Sequence, residues 1–136
     1  MEIQNLSSRP FITRNYISSD YTKAFNLPAL IESMKKSYKW ANSELNAMIL
    51  LKGRTKQIIL TSIHDGTEIE SFQSKDSVTF HILEGKLKLD TPYDSIILDE
   101  GQLMTITNKI NYRLSTEEDT VFLLSISEIS AEGSRN

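Results

Sequence analysis

The chain has 136 residues, 39% hydrophobic and 24% charged, with a formal net charge of −3; this suits one ordinary folded domain and excludes a disordered chain. That balance offers no clustered positive field for phosphates, and no apolar run reaches the length of a membrane span, so neither nucleic acid nor a membrane is an expected partner. The chain has no cysteine, which excludes disulfides, thiolate metal ligands and a cysteine nucleophile; with no signal-peptide core at its start, the expected location is cytoplasmic.

Residues 1–26 read as an N-terminal arm, extended or an irregular strand, polar but for aromatics such as Phe11, Tyr16 and Tyr21 and carrying Pro10. Segment 27–40 reads as an amphipathic helix. Asn26 is a suitable N-cap and Pro28 fits the first turn, while Leu27, Leu30, Ile31, Met34 and Tyr38 recur at the spacing of one helical face. Lys35, Lys36 and Lys39 carry the sign that suits a helix C-terminus, which predicts a helix over 27–39. From residue 46 the pattern changes to short β-rich runs at 47–51, 57–63, 77–83, 86–89, 95–98, 103–107, 112–114 and 121–126. Gly53, Asp65-Gly66, Glu84-Gly85, Thr91-Pro92, Glu100-Gly101, Asn108-Lys109 and Glu117-Glu118 separate them. Such spacing implies an all-β sandwich, jelly roll or barrel, and periodicity alone does not choose among these. Residues 130–136 are small and polar and are expected to form a loose tail.

Two stretches narrow the choice. The first runs Asp65-Gly66-Thr67-Glu68, Ser71-Phe72-Gln73-Ser74, Val78-Thr79-Phe80 and Ile82-Leu83-Glu84-Gly85. The second runs from Leu98 through Glu100-Gly101 to Ile106, then Asn111-Tyr112-Arg113-Leu114. Together they resemble the two signature motifs of the cupin superfamily, in which a glycine turn, a His-x-His strand, a Glu and a closing glycine are followed by a second glycine turn and a last metal histidine. The resemblance implies an all-β cupin double-stranded β-helix, a jelly-roll barrel over residues 41–129, preceded by the one short helix.

It also implies where a metal would sit, and there the chain departs from the family. Counting back from Gly85 puts the two histidine positions at Ser71 and Gln73 and the glutamate position at Val78; counting forward from Gly66 gives Phe72 and Ser74 instead. Counting from Gly101 puts the last histidine position at Tyr112, with Thr107 and Lys109 in place of the turn's proline and glycine. Alternate strand residues share a face, which lets a His-x-His pair converge on one ion. Transition metals want imidazole, carboxylate or thiolate, and Ser, Gln, Val and a neutral Tyr supply none of these. No metal site and no cofactor is therefore expected.

Ser71, Gln73, Val78, Phe80 and Tyr112 are the candidate pocket residues, and no catalytic residue is assigned. Each has a plainer reading: Tyr112 as packing with its hydroxyl on a partner, Gln73 as a rim residue. Glu68 and Glu70 fit a solvated strand edge better than an acid–base pair. With Val78 facing inward His81 faces outward, and His64, before a tight turn, is expected to be exposed. The expected function is that of a metal-free, non-catalytic homodimer that binds a small organic ligand or a protein partner in or around the barrel. The alternative is a metal-independent epimerase- or isomerase-like enzyme with Tyr112 as acid and His81 or Glu70 as base.

Overall fold

The structure is a computed structural model that describes residues 16–18, 22–37, 45–70, 77–107 and 110–128. The chain divides into two compact units, Met1–Ala41 and Asn42–Asn136.

In the first unit the arm contains a short antiparallel pair, β1 (Tyr16–Ser18) with β2 (Lys23–Phe25), in the register Ile17 opposite Ala24. Helix α1 follows directly, from Leu27 to Lys35. Asn26 caps it: its side-chain oxygen accepts from the Ala29 N–H at 3.2 Å, and Pro28 sits in the first turn, where no N–H is missed. Leu30, Ile31 and Met34 are its buried stripe. The helix stops at Lys35, short of the Lys39 expected from the lysine run, because the Lys36 N–H reaches both the Glu32 and Ser33 carbonyls at 3.2 Å and Ser37 donates its N–H and its hydroxyl to Met34. The bonds to Ser33 and Met34 span three residues, tighten the last turn and occupy carbonyls that a further turn would use.

The described residues of the second unit form nine strands: β3 (Leu45–Lys52), β4 (Lys56–Ile63), β5 (Glu68–Ile69), β6 (Ser77–Glu84), β7 (Lys86–Asp90), β8 (Ser95–Asp99), β9 (Leu103–Ile106), β10 (Arg113–Ser115) and β11 (Thr120–Ser127). They form a five-stranded sheet in the order β3-β4-β11-β6-β9 and a four-stranded sheet in the order β5-β10-β7-β8, with every pair antiparallel. The alternation of Val78, Phe80 and Ile82 on β6, and of Leu87 and Leu89 on β7, turns one face of each sheet inward. Those residues join Ile63, Leu98, Ile106, Tyr112, Leu114 and Phe122 in one apolar core shared by both sheets. Each expected β-run contains a strand; the addition is β5, two residues long, below the length at which alternation can be read.

Four of the six connections by which the chain passes from one sheet to the other meet at one end. Three of them carry the described glycines with positive φ: Gly66 (80°) between β4 and β5, Gly85 (87°) between β6 and β7, and Gly101 (87°) between β8 and β9. The fourth, between β10 and β11, is held by two buried threonines. Thr116 Oγ1 lies 2.7 Å from the Lys86 carbonyl, Thr120 Oγ1 lies 3.0 Å from the same oxygen, and the two hydroxyls are 2.8 Å apart. Thr120 Oγ1 also accepts the Lys86 N–H at 3.2 Å. Gly66 donates its N–H to the Thr116 carbonyl at 2.8 Å, and Gly101 donates to Ile82 at 2.8 Å. His64 is half-buried, not exposed as expected, because its Nδ1 lies 3.3 Å from Asp119 Oδ1, an oxygen that also accepts the Asp65 N–H at 3.0 Å.

Gly85 and Gly66 share a backbone conformation but not a neighbourhood. A methyl group at Gly85 would fall 2.6 Å from Thr120 Oγ1 and against the Asp119 carbonyl, whereas one at Gly66 would meet nothing within 4 Å. Gly66→Ala should therefore show only the left-handed backbone penalty, about 1–2 kcal/mol, and Gly85→Ala that penalty plus overpacking, about 3 kcal/mol or more in total. Urea unfolding midpoints of the two variants check the order, and equal losses would mean that the crowding at Gly85 relaxes freely.

Candidate functional site

The barrel interior is the place to look for chemistry, and among the described residues it is filled. Val78 is 2% exposed and Phe80 0%, both inside the apolar core. Phe80 packs its ring edge-to-face on Tyr112, with centroids 5.7 Å apart and planes at 82°, and against Phe122 at 6.0 Å. This is the geometry that aromatic quadrupoles favour. Tyr112, just before β10, is 4% exposed, and burial pushes its phenol up from the ordinary 10.0 to about 12. Near neutral pH it is therefore a neutral hydroxyl, neither a phenolate ligand nor a ready base.

The other candidates do not join this pair in a described cluster. Ser71 and Gln73, and the alternative positions Phe72 and Ser74, lie outside the described residues, as do Lys109 and the 130–136 tail. His81 pairs with Leu103 on β9 and Leu123 on β11, on the face of β6 opposite to Val78, Phe80 and Ile82. Among the described residues no three of His, Cys, Asp and Glu come together as a metal group. Val78 has no donor atom and Tyr112 keeps its proton, so the described residues at the family's ligand positions do not fit a transition-metal ion.

Tyr112 also lines a shallow pocket of about 230 Å3 with Glu70, Asp90, Pro92, Asn111 and Arg113. Glu70 and Arg113 close one side as an exposed ion pair at 3.6 Å. Pairing alternation along β10 explains the arrangement: Leu114 turns inward, Arg113 turns outward opposite Asp90, and Tyr112 turns inward at the end of the strand. The Glu70–Arg113 pair was not legible beforehand, because its partners are 43 positions apart and only the pairing of β5 with β10 aligns them.

No family model matches the sequence, and no curated protein matches it. Solved structures do match in fold. A cupin superfamily protein from Desulfitobacterium hafniense is similar with a TM-score of 0.61 and 17% identity over 65% of this chain and 80% of its own. A cupin-2 domain protein from Shewanella frigidimarina is similar with a TM-score of 0.61 and 13% identity, over 76% of this chain and 94% of its own. A conserved protein of unknown function from Streptococcus pyogenes gives 0.60 and 20%, over 65% and 77%. The two antiparallel sheets around one core, crossed by glycine turns, therefore form a cupin fold. Among the described residues no helix is long and apolar enough to cross a membrane.

The raised phenol predicts an alkaline limb in stability. The folded chain holds the Tyr112 proton more tightly than the unfolded chain, so stability is whole below pH 10.0 and is lost as pH rises towards about 12. Melting temperatures of the native chain should fall more steeply across that interval than those of Tyr112→Phe. Parallel curves would mean that the phenol is as well solvated folded as unfolded.

Proposed function

We propose that this cupin domain is a non-catalytic binding module that works without a metal ion and holds a small organic ligand or a protein partner in or around the barrel. One observation supports the reading: the position of the family's last metal histidine is a buried, protonated Tyr112 packed edge-to-face on Phe80. A hydroxyl of this kind orients a ligand by a hydrogen bond but transfers its proton poorly near neutral pH. The outward position of His81 and the exposure of the paired Glu70 weigh against the acid–base alternative. The pocket beside Tyr112 is the first place for such a ligand, with Ser71, Gln73, Val78 and Phe80 as further candidate contacts.

The same reading takes the domain to be a homodimer. β3 is the terminal strand of its sheet, eight residues long, and leaves Ile49 56% exposed and Leu45 41% exposed. A long edge strand with exposed aliphatic side chains is a template for pairing with another copy. The absence of cysteine and the charge balance remain grounds for placing it in the cytoplasm and away from nucleic acid.

Native mass spectrometry after incubation with manganese, iron, nickel and zinc salts tests this. The expected spectrum is a dimer without a stoichiometric ion, with or without a retained organic molecule. One tightly held transition-metal ion per chain would overturn the reading.

A further inference from the structure

The outward face of the four-stranded sheet carries three rows of side chains, and one of them is built differently from the others. In the first row Arg113 pairs with Glu70 at 3.6 Å, and Ser95 donates to Asp90 at 2.6 Å. In the third, Lys86 stands opposite Asp99 and pairs with it at 3.6 Å. The second row runs Glu68, Ser115, Lys88 and Ile97 across β5, β10, β7 and β8. Serine separates the carboxylate from the ammonium, and an isoleucine stands on the far side of the lysine. Among the described residues neither Glu68 nor Lys88 has an ion-pair or side-chain hydrogen-bond partner.

Opposite charges directly across strands stabilise a sheet, and the flanking rows use that arrangement. The middle row forgoes it over a groove of about 570 Å3, which Glu68, Ser115, Lys88 and Ile97 line together with Glu117 and Glu118. The groove thus has a cationic side at Lys88 and at Lys86, the latter already paired with Asp99, an acidic side at Glu68, Glu117 and Glu118, hydroxyls between them and an aliphatic side chain, Ile97, that is 56% exposed. Two strand spacings separate Glu68 from Lys88, about 10 Å. An extended dipeptide is about 7 Å from end to end, and side chains standing off the sheet close the remainder.

We infer that this groove binds a small zwitterion of dipeptide length. Its carboxylate lies on Lys88, its ammonium on Glu68 and the neighbouring glutamates, and an apolar side chain on Ile97. The inference goes beyond the reading of the domain as a binding module and adds a second site, on the outside of the sheet, to the pocket beside Tyr112.

The test is an amide NMR titration of the full chain with glycyl-leucine, alongside N-acetyl-glycyl-leucine amide, which carries neither charge. Shifts are expected at Gly66, Lys88, Ile97 and Ser115, with millimolar affinity that falls as salt is added and with no response to the neutral analogue. Lys88→Gln and Glu68→Gln, both at exposed positions, should each weaken binding about fivefold, the scale of one exposed charge contact. Equal binding of the neutral analogue, or affinity unchanged in both variants, would overturn the inference. Shifts confined to Asn111, Tyr112 and Arg113 would overturn it too, while leaving the binding-module reading in place.

Discussion

The hydroxyl pair Thr116–Thr120 and the glycine it faces hold this fold closed. Each hydroxyl has a single proton, so the pair shares two protons among the Lys86 carbonyl, the Glu118 carbonyl and the bond between them, while Thr120 Oγ1 accepts the Lys86 N–H and Thr116 Oγ1 the Glu118 N–H. Among the described residues no buried side-chain nitrogen or oxygen lacks a partner. A buried polar group left unmatched is expensive, so a network of this kind tolerates one arrangement of the two turns and few others. Gly85 is the complementary half: the turn approaches so closely that a side chain has no room. Burying Leu87, Leu89 and Phe122 makes the core, whereas the threonines set how the sheets meet.

That division separates the two ends of the barrel. At one end four crossings are bonded to one another; at the other, an aromatic pair and an exposed ion pair border a shallow pocket. Among the described residues the interior between them holds aliphatic and aromatic side chains, with Val78 and Tyr112 at two of the positions where metal-holding cupins have ligands. Among the described core residues the Tyr112 phenol is pushed up to about 12 by burial. The proposed recognition role would fall to charged groups that face outward on the four-stranded sheet.

Much of the fold was legible in the residues because each strand is bounded by a turn whose chemistry is local. Asp65-Gly66, Glu84-Gly85 and Glu100-Gly101 each put glycine where φ is positive, and Lys86-Leu87-Lys88-Leu89 declares its two faces by alternation. What the residues could not disclose is pairing order. β11 sits between β4 and β6, and nothing in Val121 to Ile126 distinguishes a central strand from an edge. The threonine lock was hidden for the same reason: Thr116 and Thr120 look like ordinary turn residues until Lys86, 34 positions from Thr120, arrives beside them. Of the candidate site, Tyr112 was singled out from motif spacing alone, while the row Glu68, Ser115, Lys88 and Ile97 needs the registers of three strand pairs before its members become neighbours.

The central place of β11 has a consequence for how the protein is made. β4 and β6 both take their long-range partner from the last described strand, so a nascent chain on the ribosome carries two apolar strands with unsatisfied edges until residues 120–127 emerge. Closure that depends on such distant pairing is slow, and the waiting strands are prone to associate wrongly. Production of this domain in cells should therefore be governed by shielding of the unfinished sheet during translation more than by the stability of the finished one.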